Sequence, residues 1–314
     1  MSTPIRTGVF GVGSLGQWHA RIMSELGNVE FVGVFDTDEA RANEIAERYG
    51  VKAFTDMDAL AQQIEAASVV VPTNLHYDVA LQLLNHNLHL LIEKPISDRL
   101  EHADAIIEEA RKKNRIIQVG HVERFNPVMS FLEEKLTGPR FIEAIRLAPF
   151  PPPRPGLAPR GTEVSVVFDL MIHDLEIIMH LAQSPIAEIH AVGVPVLSPT
   201  EDIANVRLQF ENGCVANITA SRVSQESLRK IRVFQEDTYL SLDYQAQSGQ
   251  LLHKDGAAIA KTDVPIEKDD ALTRQIDAFI TCIQTGDDPL VSGERGRDAL
   301  ELAVKITEAI QQAR

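Results

Sequence analysis

Over the first 120 residues, short apolar runs alternate with amphipathic stretches. Residues 5–10 form a β-branched and apolar run that meets the glycine-rich hexapeptide Gly11-Val12-Gly13-Ser14-Leu15-Gly16. Beyond it Trp18, Ile22, Met23 and Leu26 recur at helical spacing, so the segment reads as strand, turn and helix. The rhythm repeats, with strands expected at 29–35, 52–54, 67–71, 88–92 and 116–119 and helices at 39–49, 57–64, 76–85 and 99–112. Strands that are apolar almost throughout are buried on both faces. The pattern therefore predicts an α/β domain over residues 1–120, built on a doubly wound parallel sheet.

After Gly120 the grammar changes. A helix at 127–135 and a strand at 141–147 lead to the stretch 149–161, PFPPPRPGLAPRG, whose prolines lack amide donors and exclude both a helix and a central strand. It is expected as an exposed loop or arm. A helix at 166–181 precedes strand candidates at 188–196, 204–210, 214–221, 229–235, 239–244 and 250–253, with turns such as Glu211-Asn212-Gly213 that favour antiparallel neighbours. Amphipathic helices at 272–285 and 295–312 close the chain. Residues 121–314 thus read as an α+β domain with a large, open, mainly antiparallel sheet and helices on one face. An uncovered apolar sheet face predicts a homodimer or homotetramer, a choice the pattern leaves open.

Apolar residues make up 44% of the chain and charged residues 24%, values ordinary for a globular protein. Lys and Arg number 30 against 45 Asp and Glu, so the formal charge of −15 argues against a nucleic-acid partner. It still allows a few converging cations to form an anionic-ligand pocket. No run approaches the roughly 18 apolar residues of a membrane helix, and no apolar stretch of signal-peptide length opens the chain. Cys214 and Cys282 suit buried thiols rather than a disulfide framework or a metal site. The expectation is a cytoplasmic protein without membrane or metal partners.

The hexapeptide matches G-x-G-x-x-G, and its position between strand and helix is what makes it informative. Gly11 suits the tight turn, Gly13 the approach of a pyrophosphate and Gly16 close helix packing, with the phosphates at the helix amino end. Asp36 closes the next strand, where it would accept from the ribose hydroxyls and repel a 2′-phosphate, favouring NAD over NADP. Pro72, Thr73, Asn74 and His76 follow a buried strand at the sheet's carboxyl edge and can line the cofactor. Glu93-Lys94-Pro95 lies at the same edge one strand further on, presenting an ammonium that Glu93 orients or neutralises. Asp169 and His173 stand at i and i+4 on a helix, a base with an acidic neighbour; His180 on the same helix reads as structural.

Together the Gly11–Gly16 motif, Glu93-Lys94-Pro95 and Asp169-x-x-x-His173, in this order, resemble the Gfo/Idh/MocA oxidoreductases over nearly the whole chain. The resemblance implies a Rossmann domain, an oligomer-forming carboxy-terminal sheet, and hydride exchange between a nicotinamide and a sugar or cyclitol carbon. It implies Lys94 and His173 as the catalytic pair with Asp169 beside them, and it implies that the segment from Gly120 and His121 through Arg124 and Asn126 borders nicotinamide and substrate. That segment and Ala220-Ser221-Arg222 are similar to the branch of the family that oxidises UDP-N-acetylglucosamine at C3. For a nucleotide sugar, Arg124, Arg154, Arg160 and Arg222 are the candidate partners of the diphosphate, a planar guanidinium being suited to it. The order of proton transfer between Lys94 and His173 stays open. A free sugar or inositol as substrate, a reductase acting on an imine or linear tetrapyrrole, and a non-catalytic dinucleotide-bound sensor remain the alternatives.

Overall fold

The computed structural model describes residues 3–153, 159, 161–256 and 258–313. Arg154 and Arg160 lie outside them. The first sheet holds six parallel strands: β1 (Ile5–Phe10), β2 (Val29–Phe35), β3 (Lys52–Phe54), β4 (Ala66–Val69), β5 (His89–Glu93) and β6 (Ile117–Gly120). Their order is β3-β2-β1-β4-β5-β6, so the winding reverses between β1 and β4. All of β4 and the last four residues of β1 are buried, as strands covered on both faces require. The connecting helices are α1 (Gly16–Glu25), α2 (Glu39–Tyr49), α3 (Met57–Ala61), α4 (His76–Asn85) and α5 (Leu100–Lys112). Polar caps fix where some of them begin: Asp38 accepts from the Arg41 amide at the head of α2, and Asp56 from the Asp58 amide at the head of α3.

The chain forms two compact units, and their limits differ from a single division after residue 120. One unit runs to Val122 and takes in Asp270–Asp298; the other comprises Glu123–Asp269 and the chain from Ala299 on. The physical reason lies in α8 (Ala271–Thr285), whose buried Ile276, Phe279 and Ile280 share a core with Val9, Ile22, Met23 and Val34. The Gln118 side chain donates to Gln275 O at 2.9 Å, and the Val119 amide to Val291 O at 2.9 Å, fastening the returning segment to β6.

The second unit is an eight-stranded sheet in the order β14-β13-β12-β11-β7-β10-β9-β8. Its strands are β7 (Phe141–Leu147), β8 (Ile186–Val194), β9 (Ile203–Phe210), β10 (Val215–Ser221), β11 (Leu228–Phe234), β12 (Thr238–Asp243), β13 (Ser248–Asp255) and β14 (Ala258–Asp263). Only β7 and β10 pair in parallel. Period-2 alternation turns Ile142, Ala144, Val206, Leu208, Ile218 and Val233 toward one face. There they pack with α6 (Pro127–Lys135), α7 (Ile172–Ala182) and the later turns of α9 (Gly293–Gln312). The same alternation turns Glu143, Asn205, Arg207, Asn217 and Arg232 to the other face, with Glu143 and Arg232 paired at 2.7 Å. That face is mixed rather than apolar. Among the described residues no helix is long and apolar enough to cross a membrane.

Beneath the second sheet runs a chain of buried charges. Arg146 on β7 grips Asp174 of α7 with two nitrogens at 2.7 and 3.0 Å and reaches Glu123 at 3.0 Å with a third. Arg124 pairs with Glu133 at 2.7 Å and Glu176 at 3.2 Å. The hydrogen bond from His180, joined by Arg124, pulls the half-exposed Glu133 carboxyl from 4.5 down to about 2. A depressed carboxyl stabilises the fold fully above its unfolded value and ceases to do so as pH falls through the folded one. We therefore expect Glu133→Gln to lose less stability than the parent on acidification from about pH 4.5 to about pH 2, measured by urea unfolding across that window.

Candidate functional site

The glycine-rich turn sits where β1 hands over to α1, beside the reversal of strand order, the place where open α/β sheets take ligands. Gly11 holds φ at +85°, and a side chain there would lie 2.7 Å from Val70 O. A side chain on Gly16 would strike Gly11 O. Gly13 is different in kind, because a Cβ there would meet no protein atom within 4 Å. Two glycines thus satisfy the protein's own packing, and the third leaves an open cradle at the amino end of α1 of the sort a pyrophosphate needs.

Asp36 closes β2, and its two carboxylate oxygens accept from the amides of Val12 at 2.7 Å and Asp38 at 3.0 Å. Arg41 donates to Val12 O at 2.9 Å, so Val12 is held at both its amide and its carbonyl. Leu15 directly precedes α1, and Ser14 O accepts from Gln17. Asp36 is half-exposed and keeps lone pairs for ribose hydroxyls. The donors and acceptors present fit a dinucleotide with an unphosphorylated adenosine ribose.

After β4 the chain makes a single turn at Thr73–Leu75, with Pro72 and Asn74 exposed and Thr73 half-exposed. His76, expected to line the cofactor, instead turns inward. Its Nδ1 is 2.9 Å from Pro95 O and its Nε2 2.9 Å from Val71 O, so the ring lies between two backbone carbonyls and, when neutral, donates to one of them. Burial lowers its pKa against the pull of those carbonyls. His121, at the end of β6, is also buried rather than surface-lining. Lys94 stands half-exposed after β5. Glu93, 9% exposed, accepts from the Lys94 amide at 3.2 Å and lies over Gly120, where a Cβ would come 2.6 Å from its Oε1.

In the second unit the helix expected at 166–181 begins as a π-turn over Val167–Met171 that continues into α7. The Ile172 amide bonds Val167 O, five residues back, and such widened turns recur at functional sites. Asp169 lies in this turn and His173 just past it, both half-buried. Gly161, at φ +79°, abuts the Asp169 carboxylate, and a Cβ there would stand 2.5 Å from Oδ2.

Of the guanidinium groups expected to clamp a diphosphate, the two among the described residues, Arg124 and Arg222, face partners inside the protein. Every nitrogen of buried Arg222 donates inside the protein: to Asp202 at 2.8 Å, to Gly161 O and Val164 O at 2.6 and 2.9 Å, and to Ser198 and Thr200 hydroxyls at 2.9 Å. Arg124 has a fully buried side chain paired with Glu133 and Glu176. Asn126 caps α6 through the Val128 amide and donates to Glu123 and Tyr244 O, which makes it a structural residue as well. The groups that sequence reasoning missed are His19 and Ser68, buried beside Glu93, and the partners Glu123, Arg146, Asp174 and Glu176. A histidine on the buried face of α1 was the one legible signal.

Two family descriptions match this chain: the NAD-binding Rossmann fold of the GFO/IDH/MocA oxidoreductase family over residues 5–121, and the GFO/IDH/MocA C-terminal domain over residues 133–240. The chain is 34% identical to the UDP-N-acetylglucosamine 3-dehydrogenase of Acidithiobacillus ferrooxidans, over 98% of this chain and 97% of that protein. A solved structure of that dehydrogenase superposes with a TM-score of 0.92, covering 99% of both chains. The myo-inositol 2-dehydrogenase of Thermotoga maritima is 26% identical over 99% of this chain and 97% of that one.

The contrast among the glycines is testable. Gly13→Val is expected to melt within a few degrees of the parent while losing NADH binding at least tenfold, measured by fluorescence titration. Gly16→Ala is expected to lower both stability and binding, because its methyl group has nowhere to go.

Proposed function

The chain belongs to the Gfo/Idh/MocA family of NAD-binding oxidoreductases, and from that premise we propose that it oxidises a secondary hydroxyl of a nucleotide sugar, UDP-N-acetylglucosamine at C3. The observation that carries the reading is the full-length likeness to a dehydrogenase of that substrate, in a chain that presents Lys94, Asp169 and His173 half-exposed at element ends. The inositol dehydrogenase is the more distant relative.

Bound NAD supplies the hydride acceptor. The Gly11–Gly16 turn and the head of α1 hold the pyrophosphate, and Asp36 takes the ribose hydroxyls and repels a 2′-phosphate. As hydride leaves the carbinol carbon, the hydroxyl proton must leave too. His173 accepts it on an imidazole nitrogen, an ordinary task for a group whose reference pKa is near ~6.5. The Lys94 ammonium stabilises negative charge as it grows on the oxygen. Asp169 shares the catalytic face with His173 and orients it. Arg222 plays no part in holding the diphosphate, since its donors are already taken, and Arg124 is buried between Glu133 and Glu176. A cytoplasmic homo-oligomer is part of the same proposal. The free thiols Cys214 and Cys282 support the setting, and burial raises the Cys214 pKa to about 11, leaving that group inert.

NADH formation should be compared with UDP-N-acetylglucosamine, free N-acetylglucosamine and myo-inositol as substrates. We expect turnover with the first to exceed the others at least tenfold. Lys94→Ala and His173→Ala should each lower kcat about 10²- to 10⁴-fold while NAD affinity stays within threefold. Equal rates with the free sugar would remove the nucleotide from the proposal. NADH that stays bound and unreacted with any oxidised sugar would favour a sensor.

A further inference from the structure

Two buried histidines flank the Glu93-Lys94-Pro95 turn, and the mechanism above uses neither. His76 of α4 lies between Pro95 O and Val71 O, at 2.9 Å from each, beside the residue after Lys94. His19 of α1 reaches the residue before it. Its ring is fully buried, with Nδ1 2.6 Å from Ser68 Oγ on β4 and Nε2 3.3 Å from Glu93 Oε1. The approach to Glu93 is not aligned as a hydrogen bond, but a carboxylate can only accept, so Nε2 is the nitrogen suited to carry the hydrogen, and the Ser68 hydroxyl meets the other ring nitrogen. Glu93 in turn accepts from the Lys94 amide with its other oxygen, and Gly120 forms the floor on which the carboxylate lies. Burial pushes the Glu93 carboxyl up, but His19 and then Lys94 outweigh it and hold the group below its ordinary range. Three elements of the first unit thus converge on one carboxylate whose remaining duty is to the peptide bearing Lys94.

We propose that His19 is a positioning residue for the oxidation: by fixing Glu93, and through it the Lys94 amide, it sets where the Lys94 ammonium stands. The inference rests on the reading of Lys94 as a catalytic group. Misplacing such a group by an ångström can cost on the order of a hundredfold in rate, far more than a surface contact would.

Gln and Asn separate the two ring nitrogens, since the Gln amide stands near Nε2 and the Asn amide near Nδ1. His19→Gln should keep kcat for UDP-N-acetylglucosamine within threefold of the parent, and His19→Asn should lower it tenfold or more, both with the KM for NAD within threefold. Combining His19→Asn with Glu93→Gln should cost less than threefold beyond Glu93→Gln alone, because both act along one path. Should His19→Asn not fold, Ser68→Ala keeps the imidazole but frees its ring, and at least a threefold lower kcat is expected. A kcat within twofold of the parent in His19→Asn, or in Ser68→Ala where that variant stands in for it, would overturn the assignment. So would a double variant that loses the product of the single losses. Hydrogen exchange at the Lys94 amide, read by mass spectrometry without any sugar present, should quicken in His19→Asn. Quickened exchange in a protein that oxidises no sugar would count against the substrate reading alone. Unchanged exchange and kcat in an active protein would count against His19 alone.

Discussion

A charged side chain removed from water must find its counter-charge and hydrogen-bond partners inside the protein, because an unpaired buried ion costs several kcal/mol. Much of this molecule's polar architecture answers that demand. Arg146 is surrounded by Asp174 and Glu123, Arg222 by Asp202 and four further oxygens, and Glu93 by His19 and the Lys94 amide. Groups satisfied in this way are scaffold, however chemical they look in a sequence. Asp36, Lys94, Asp169 and His173 instead stand half-exposed at element ends, on the solvent side of that scaffold.

The parallel sheet and its glycine-rich turn were legible because their signals are local. Strand periodicity and three glycine positions reflect backbone geometry within a few residues, and the observed order of six strands follows. The fate of the arginines was not legible. Whether Arg222 faces a ligand or Asp202 depends on where β9 and β10 lie side by side, which no nearby residue announces. Asn126 shows the same limit, since its partner Tyr244 is far along the chain. The π-turn at Val167–Met171 leaves the apolar pattern of a helix intact and so gave no warning. Strand β14 was overlooked because its exposed edge position needs no apolar alternation, although Asp255-Gly256 was available as a turn signal.

The fold subdivides the chemistry. The first unit offers a cradle at Gly13, an acidic stop for the ribose at Asp36 and an amine at Lys94. The second holds a carboxylate, Asp169, on the widened turn at the head of α7 and an imidazole, His173, just past it, with the Arg146–Asp174 pair one residue further on. Family membership and cofactor class follow from the whole chain.

The return of Asp270–Asp298 to the first unit governs how the molecule is born. A ribosome releases β1 through β6 long before it reaches Ile276, Phe279 and Ile280, which complete the core around Val9 and Met23. Until then the nascent Rossmann sheet carries an apolar surface awaiting its last helix. The second unit's sheet has emerged in full before those residues appear, and the last turns of α9 then complete that unit's own core as translation ends.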